Sequence, residues 1–121
     1  LFENTTRLIT PNGFITVEVV DTPEKRTQGL SGREYLSEKA GMLFVFDNTS
    51  IKNCFWMKDM NFSIDMVWLN ERREVVTVTP NVTPESYPET FCPEEPAKYG
   101  LELRDSNANN LDIVEGSKLR W

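Results

Sequence analysis

Histidine is absent from the sequence, and only two cysteines occur in it. Without imidazole there is no Ser-His or Cys-His nucleophile pair, and no zinc site that relies on histidine. Two thiols cannot complete a four-thiolate metal site within one chain, so neither a metal nor another cofactor is expected. No side chain titrates near neutral pH at its ordinary value; acid–base chemistry would need a carboxyl or lysine displaced by its surroundings. Positive charge is also scarce. Lys and Arg number 13 against 19 Asp and Glu, for a formal net charge of −6, which argues against a nucleic-acid partner. No apolar run approaches the roughly 18 residues that a membrane-spanning helix needs.

What remains is a short, well-mixed chain. Its 121 residues, 39% hydrophobic and 26% charged, suit one folded core rather than a disordered tail. We read residues 1–13 as an N-terminal extension and residues 14–121 as a single globular domain, expected to be a monomer. The first residue is Leu rather than Met, which suggests an upstream segment, such as a secretory signal or anchor, that has been removed.

Local patterns point to many short strands and little helix. Pro11-Asn12-Gly13 is a turn signal, followed by period-two alternation with β-branched residues over Phe14–Val20. Thr22 can cap a helix that has Pro23 at its first position and stops near Gly29. Met42–Phe46 is an unbroken apolar run, the mark of a strand buried on both faces. Ile64–Leu69 and Glu74–Thr79 form a hairpin pattern around residues 70–73. Residues 80–96 carry five prolines and read as an ordered surface loop. Lys98–Leu103 and Lys118–Trp121 are the last strand candidates. The expected fold is mainly β, a small, partly open antiparallel barrel or sandwich with one short helix and a long proline-rich loop.

Several residues have both a chemical and a plain structural reading. Cys54 and Cys92 can form a disulfide that ties the proline-rich loop to the sheet and implies an oxidising compartment, or they can be two unconnected thiols. Asn4, Asn48, Asn61 and Asn81 open Asn-x-Ser/Thr patterns, barely more than chance supplies. Asp105-Ser106-Asn107-Ala108-Asn109 resembles half of a calcium loop but lacks the required Gly at Asn110 and Glu at Gly116, so it reads as a polar turn or short helix. Trp56, Lys58, Asp59 and Asp65 could line a cleft for a polar ligand with an apolar side. The plainer reading is that the aromatics and Met fill a small core while Lys58 pairs with a carboxylate at its rim. Arg33 and Glu102 can make a bidentate ion pair that locks the short helix to a strand, or Arg33 can capture an anion. Asp59, Asp65 and Glu102 are also the carboxylates that a hydrolase of glycan or peptide would pair.

These motifs occur in a recognisable order. Thr22-Pro23-Glu24-Lys25-Arg26 precedes Gly29-Leu30-Ser31-Gly32-Arg33, and Gly41-Met42-Leu43-Phe44-Val45-Phe46 follows. Phe55-Trp56-Met57-Lys58 then leads to Ile64-Asp65, and Pro96-Ala97-Lys98-Tyr99 to Leu101-Glu102-Leu103. From about Val17 to Leu119 the chain resembles domain-of-unknown-function family 192. The resemblance implies a compact β-rich domain with a short helix, often exported or tethered outside the cytoplasm, and brings no activity, cofactor or substrate. It matches Arg33, Trp56, Lys58, Asp65 and Glu102. Asp59 departs from a usual Asn, Ser63 from a common Pro, Asp105-Ser106 from Ala-Gly, and Ser117 from an acid. The expectation is a non-enzymatic extracytoplasmic module that binds a small polar ligand or a protein surface. A carboxylate hydrolase and a purely structural accessory module are the alternatives.

Overall fold

A computed structural model describes residues 4–121 of the chain. Strands β1 (Thr5–Thr10) and β2 (Gly13–Val20) form a hairpin whose turn ends at Gly13, with a φ of 117°. That angle suits a residue without Cβ. β1 falls in the stretch read from the sequence as an extension, yet it pairs along its whole length with β2 and buries Leu8 completely. Only Leu8 and Thr10 of this strand are buried, so its edge position hid the period-two signal.

Helix α1 (Pro23–Gln28) starts where the Thr22 hydroxyl accepts the Lys25 N–H at 3.2 Å, and it ends at Gly29. None of its residues is buried. The helix is held through Arg26, which donates to the Val45 carbonyl at 2.9 Å and pairs with Asp47 at 3.1 Å. Leu30, just beyond it, anchors the connection in the core. The chain then enters β3 (Ala40–Ser50) parallel to β2. The sheet is therefore mixed, and the all-antiparallel expectation is corrected. A crossover that packs a helix outside the sheet returns the chain in the same direction.

The two-residue strand β4 (Phe55–Trp56) precedes β5 (Ile64–Leu69) and β6 (Val75–Val82). A short 3-10 turn at Pro84–Ser86 leads to β7 (Thr90–Phe91), which pairs with β4. Strand β8 (Ala97–Arg104) inserts between β3 and β5, and α2 (Asn107–Asn110) is a second short helix where one was expected. It occupies the half calcium loop, in keeping with a polar turn or short helix there. The six-stranded order is β1-β2-β3-β8-β5-β6.

No strand ladder closes this sheet. Lys118–Trp121 is not a strand, as its composition suggested, but it bridges both sheet edges. Arg120 exchanges hydrogen bonds with Ile9 of β1, while the Ser117 carbonyl accepts the Val75 N–H of β6 at 2.8 Å. The result is a partly open barrel. Its interior holds Leu8, Ile15, Val17, Leu43, Val67, Leu101, Leu103 and Leu119. A second core lies outside, where Met42, Phe44, Phe46, Met66 and Trp68 meet Leu30, Leu36, Phe55 and Met57. Strands β3 and β5 thus face mostly apolar surroundings on both sides, which explains the unbroken apolar run of β3 and the hydrophobic residues of β5, interrupted by the buried Asp65.

Candidate functional site

Glu102 lies in the middle of β8, in register with Met42 on one side and Met66 on the other. Its neighbours Leu101 and Leu103 point into the barrel, so Glu102 points outward into the second core. It is 5% exposed. No hydrogen bond or ion pair to its carboxyl occurs among the described residues, and since no fully buried side-chain oxygen there lacks a partner, the carboxyl is open to the adjoining space. Burial alone pushes its carboxyl up to about 8, so the group is largely protonated at pH 7.

The carboxyl forms part of the wall of a cavity of about 430 Å³. Phe44, Phe46, Phe55, Trp56 and Met60 supply apolar walls, and Arg26, Gln28 and Ser31 come from α1 and the turn after it. The rings pack closely: Phe44 and Phe55 lie 4.7 Å apart between centroids, and Phe55 stacks on Trp68 at 5.2 Å. Gly100 makes room for Phe55. A Cβ at that position would lie 2.4 Å from the ring.

Trp56 stands at the mouth, 45% exposed. Tyr87, from the proline-rich loop, meets it edge-on at 5.2 Å, and Lys58 Nζ lies 5.8 Å from an indole ring centre. The disulfide between Cys54 and Cys92 joins that loop to the start of β4. The adjoining groove, about 490 Å³, shares Trp56 and is lined by Lys58, Asp59, Pro23 and Thr27. Three hydrogen bonds fasten its floor: Gly32 N–H to the Asp59 carbonyl, Ser31 Oγ to the Lys58 carbonyl, and Asn61 Nδ2 to the Arg33 carbonyl, each at 2.9 Å. Asp59 has a φ of 59°, a left-handed conformation that Asp and Asn both tolerate. Backbone geometry, not a shared ligand, thus accounts for an acid or an amide at this position.

Two candidates lie elsewhere. Asp65 is fully buried and accepts the N–H groups of Asn81, Ser106 and Ala108 at 2.8, 3.2 and 2.9 Å. It alternates with the outward-facing Ile64 and Met66, so it sits on the face opposite Glu102. The two do not converge on one cleft as a hydrolytic pair would. Arg33 does not pair with Glu102, and that expectation is corrected. Its guanidinium instead grips Glu18 of β2 through two bonds, at 2.5 and 3.0 Å. Glu18 and Arg33 point to the same face as Glu102, but Glu18 lies on the strand nearer to the loop that carries Arg33. The hydrogen bond lowers the Glu18 carboxyl and raises the Arg33 guanidinium relative to their ordinary values.

The structure therefore brings Trp56 to the cavity of Glu102, sets Lys58 and Asp59 in the groove that adjoins it, and leaves Arg33 and Asp65 outside both. Sequence reasoning missed Arg26, Gln28, Phe44, Phe46 and Met60 as wall residues. Nothing local marks Phe44 and Phe46 as wall rather than core. Arg26 had a signal, a basic residue on a helix with no buried face.

A partly open barrel with a half-open pocket on its outer surface, lined by aromatics and Glu102, defines the class. The chain belongs to domain-of-unknown-function family 192 (Uncharacterized ACR), whose model matches residues 7–121. A proposed transcription regulator from Sinorhizobium meliloti 1021 has a similar crystal structure, with 32% identity, a TM-score of 0.85, and 94% of this chain and 89% of that one covered. A protein of unknown function from Novosphingobium aromaticivorans DSM 12444 shares the fold at 24% identity and a TM-score of 0.87, covering 97% of this chain and 85% of that one. No curated protein matches the sequence.

Proposed function

We propose that this chain is a non-enzymatic extracytoplasmic domain that binds a small polar ligand in the pocket between Trp56 and Glu102. Glu102 carries this reading. A carboxyl in an apolar setting without a protein partner is costly unless water or a ligand satisfies it, and this one opens onto a cavity of ligand size. The disulfide supports a location outside the cytoplasm, since such bonds persist in oxidising compartments. No helix among the described residues is long and apolar enough to cross a membrane. The relative from S. meliloti raises the question of nucleic acid, but a net charge of −6 opposes a phosphate backbone.

The test is a nuclear magnetic resonance titration with a fixed panel: glucose, N-acetylglucosamine, benzoate, 2-phenylethanol and 2-phenylethylamine. At least one probe should shift the Trp56 indole and the Met60 methyl saturably. Trp56→Ala should weaken that probe at least tenfold while the fold survives, because the indole is half exposed. A panel that leaves both groups unmoved, or an unfolded variant, contradicts the reading.

A further inference from the structure

Resting on the pocket reading above, we propose that the ligand is an organic ammonium, whose charged head meets Glu102 while its apolar stem lies among Phe44, Phe46, Phe55 and Trp56. The inner pocket offers one acidic group and several aromatic faces. An anion would find no free cation at the carboxyl end, because the Arg26 guanidinium is already engaged, and a sugar would face aromatic rings on the side formed by Phe44, Phe46 and Phe55. An ammonium gains from both features, because aromatic faces attract cations and a carboxylate pairs with them.

No protein cation is free to compete for the carboxyl: Arg33, on the same face of the sheet, is held by Glu18. Arg26 is the charged side chain on the pocket wall, and its guanidinium is engaged by the Val45 carbonyl and Asp47. The residues packed around Glu102 from β3, β4 and β5, namely Met42, Phe44, Phe46, Phe55, Trp56 and Met66, do not titrate. Lys58 and Asp59 belong to the adjoining groove. Because the empty site keeps Glu102 largely protonated at pH 7, binding an ammonium must expel that proton. Affinity should therefore rise with pH up to the carboxyl's own midpoint, by at most about tenfold per unit.

The test compares 2-phenylethylamine with its uncharged counterpart 2-phenylethanol on the full chain, at pH 6 and pH 8. The amine should bind at least tenfold more tightly at pH 8, weaken at pH 6, and lose at least tenfold in Glu102→Gln. A lysine-containing peptide and its acetyl-lysine form identify the source of the ammonium. Preference for the unmodified peptide over 2-phenylethylamine supports a protein side chain, and the reverse supports a free amine. Equal binding of the alcohol, or an unchanged Glu102→Gln, overturns the ammonium and leaves the pocket reading standing. Silence from both probes also overturns it, and the sugars and benzoate then decide the pocket reading separately.

Discussion

Asp65 accepts three backbone N–H groups, whereas Glu102, one strand away and on the other face, accepts none. Both carboxyls are buried and both match the family pattern, so sequence could single them out but not divide their roles. From the sequence, Glu102 reads as the ion-pair partner of Arg33, a role the structure gives to Glu18. Only the outer layer of Phe55, Met57 and Leu30 puts it in an apolar setting. This predicts an unusual pH dependence. Folding raises the Glu102 pKa from about 4.5 to about 8, so between those values the folded state holds a proton that the unfolded state has lost. Its contribution is fully favourable below about pH 4.5 and is lost as pH rises toward 8. Glu102→Gln should remove this loss, stabilising the domain at pH 7 by roughly 3 kcal/mol. Urea unfolding at pH 5 and pH 7 checks it, and a variant less stable at pH 7 would contradict it.

At the scale of elements, β4 and β7 are the weakest pieces of secondary structure and the ones that build the pocket mouth. Each has two residues, and a ribbon of that size is not stable alone. Their pairing is secured by the disulfide, which spans 38 positions. Closing a loop of that length stabilises by about 4 kcal/mol in the chain-entropy estimate. The double substitution Cys54→Ser with Cys92→Ser should lower the unfolding free energy by about that amount and detach Tyr87 from Trp56. Thermal melts, with indole fluorescence as a second probe, check both; unchanged melts would remove the clamp. The even cysteine count and the five prolines made this tie legible in the sequence. The parallel approach of β3 to β2 was not, because it depends on where α1 packs rather than on any local pattern.

Across the whole molecule, stability and site occupy different layers. The barrel interior draws on all six strands, while the pocket lies in the outer layer between β3, β8 and their cover. Residues 117–120 bridge the two edges of the open sheet without forming a strand pair. A chain ending at Gly116 should therefore lose cooperative unfolding, since Leu119 leaves the inner core and both sheet edges lose their partner. Calorimetry on that shortened chain checks this, and an unchanged transition would contradict it. Strand existence and the apolar β3 run were readable because two-sided burial leaves a composition signal. The bridging of the two edges was not, because residues 117–120 carry edge hydrogen bonds without the alternation of a strand.

The most direct measurement is a carbon-13 titration of the Glu102 carboxyl, with and without 2-phenylethylamine. The empty domain should show a midpoint near 8, moving lower when the amine is added. A midpoint near the ordinary 4.5, unmoved by the amine, would mean that the carboxyl is already satisfied and that no ligand is called for.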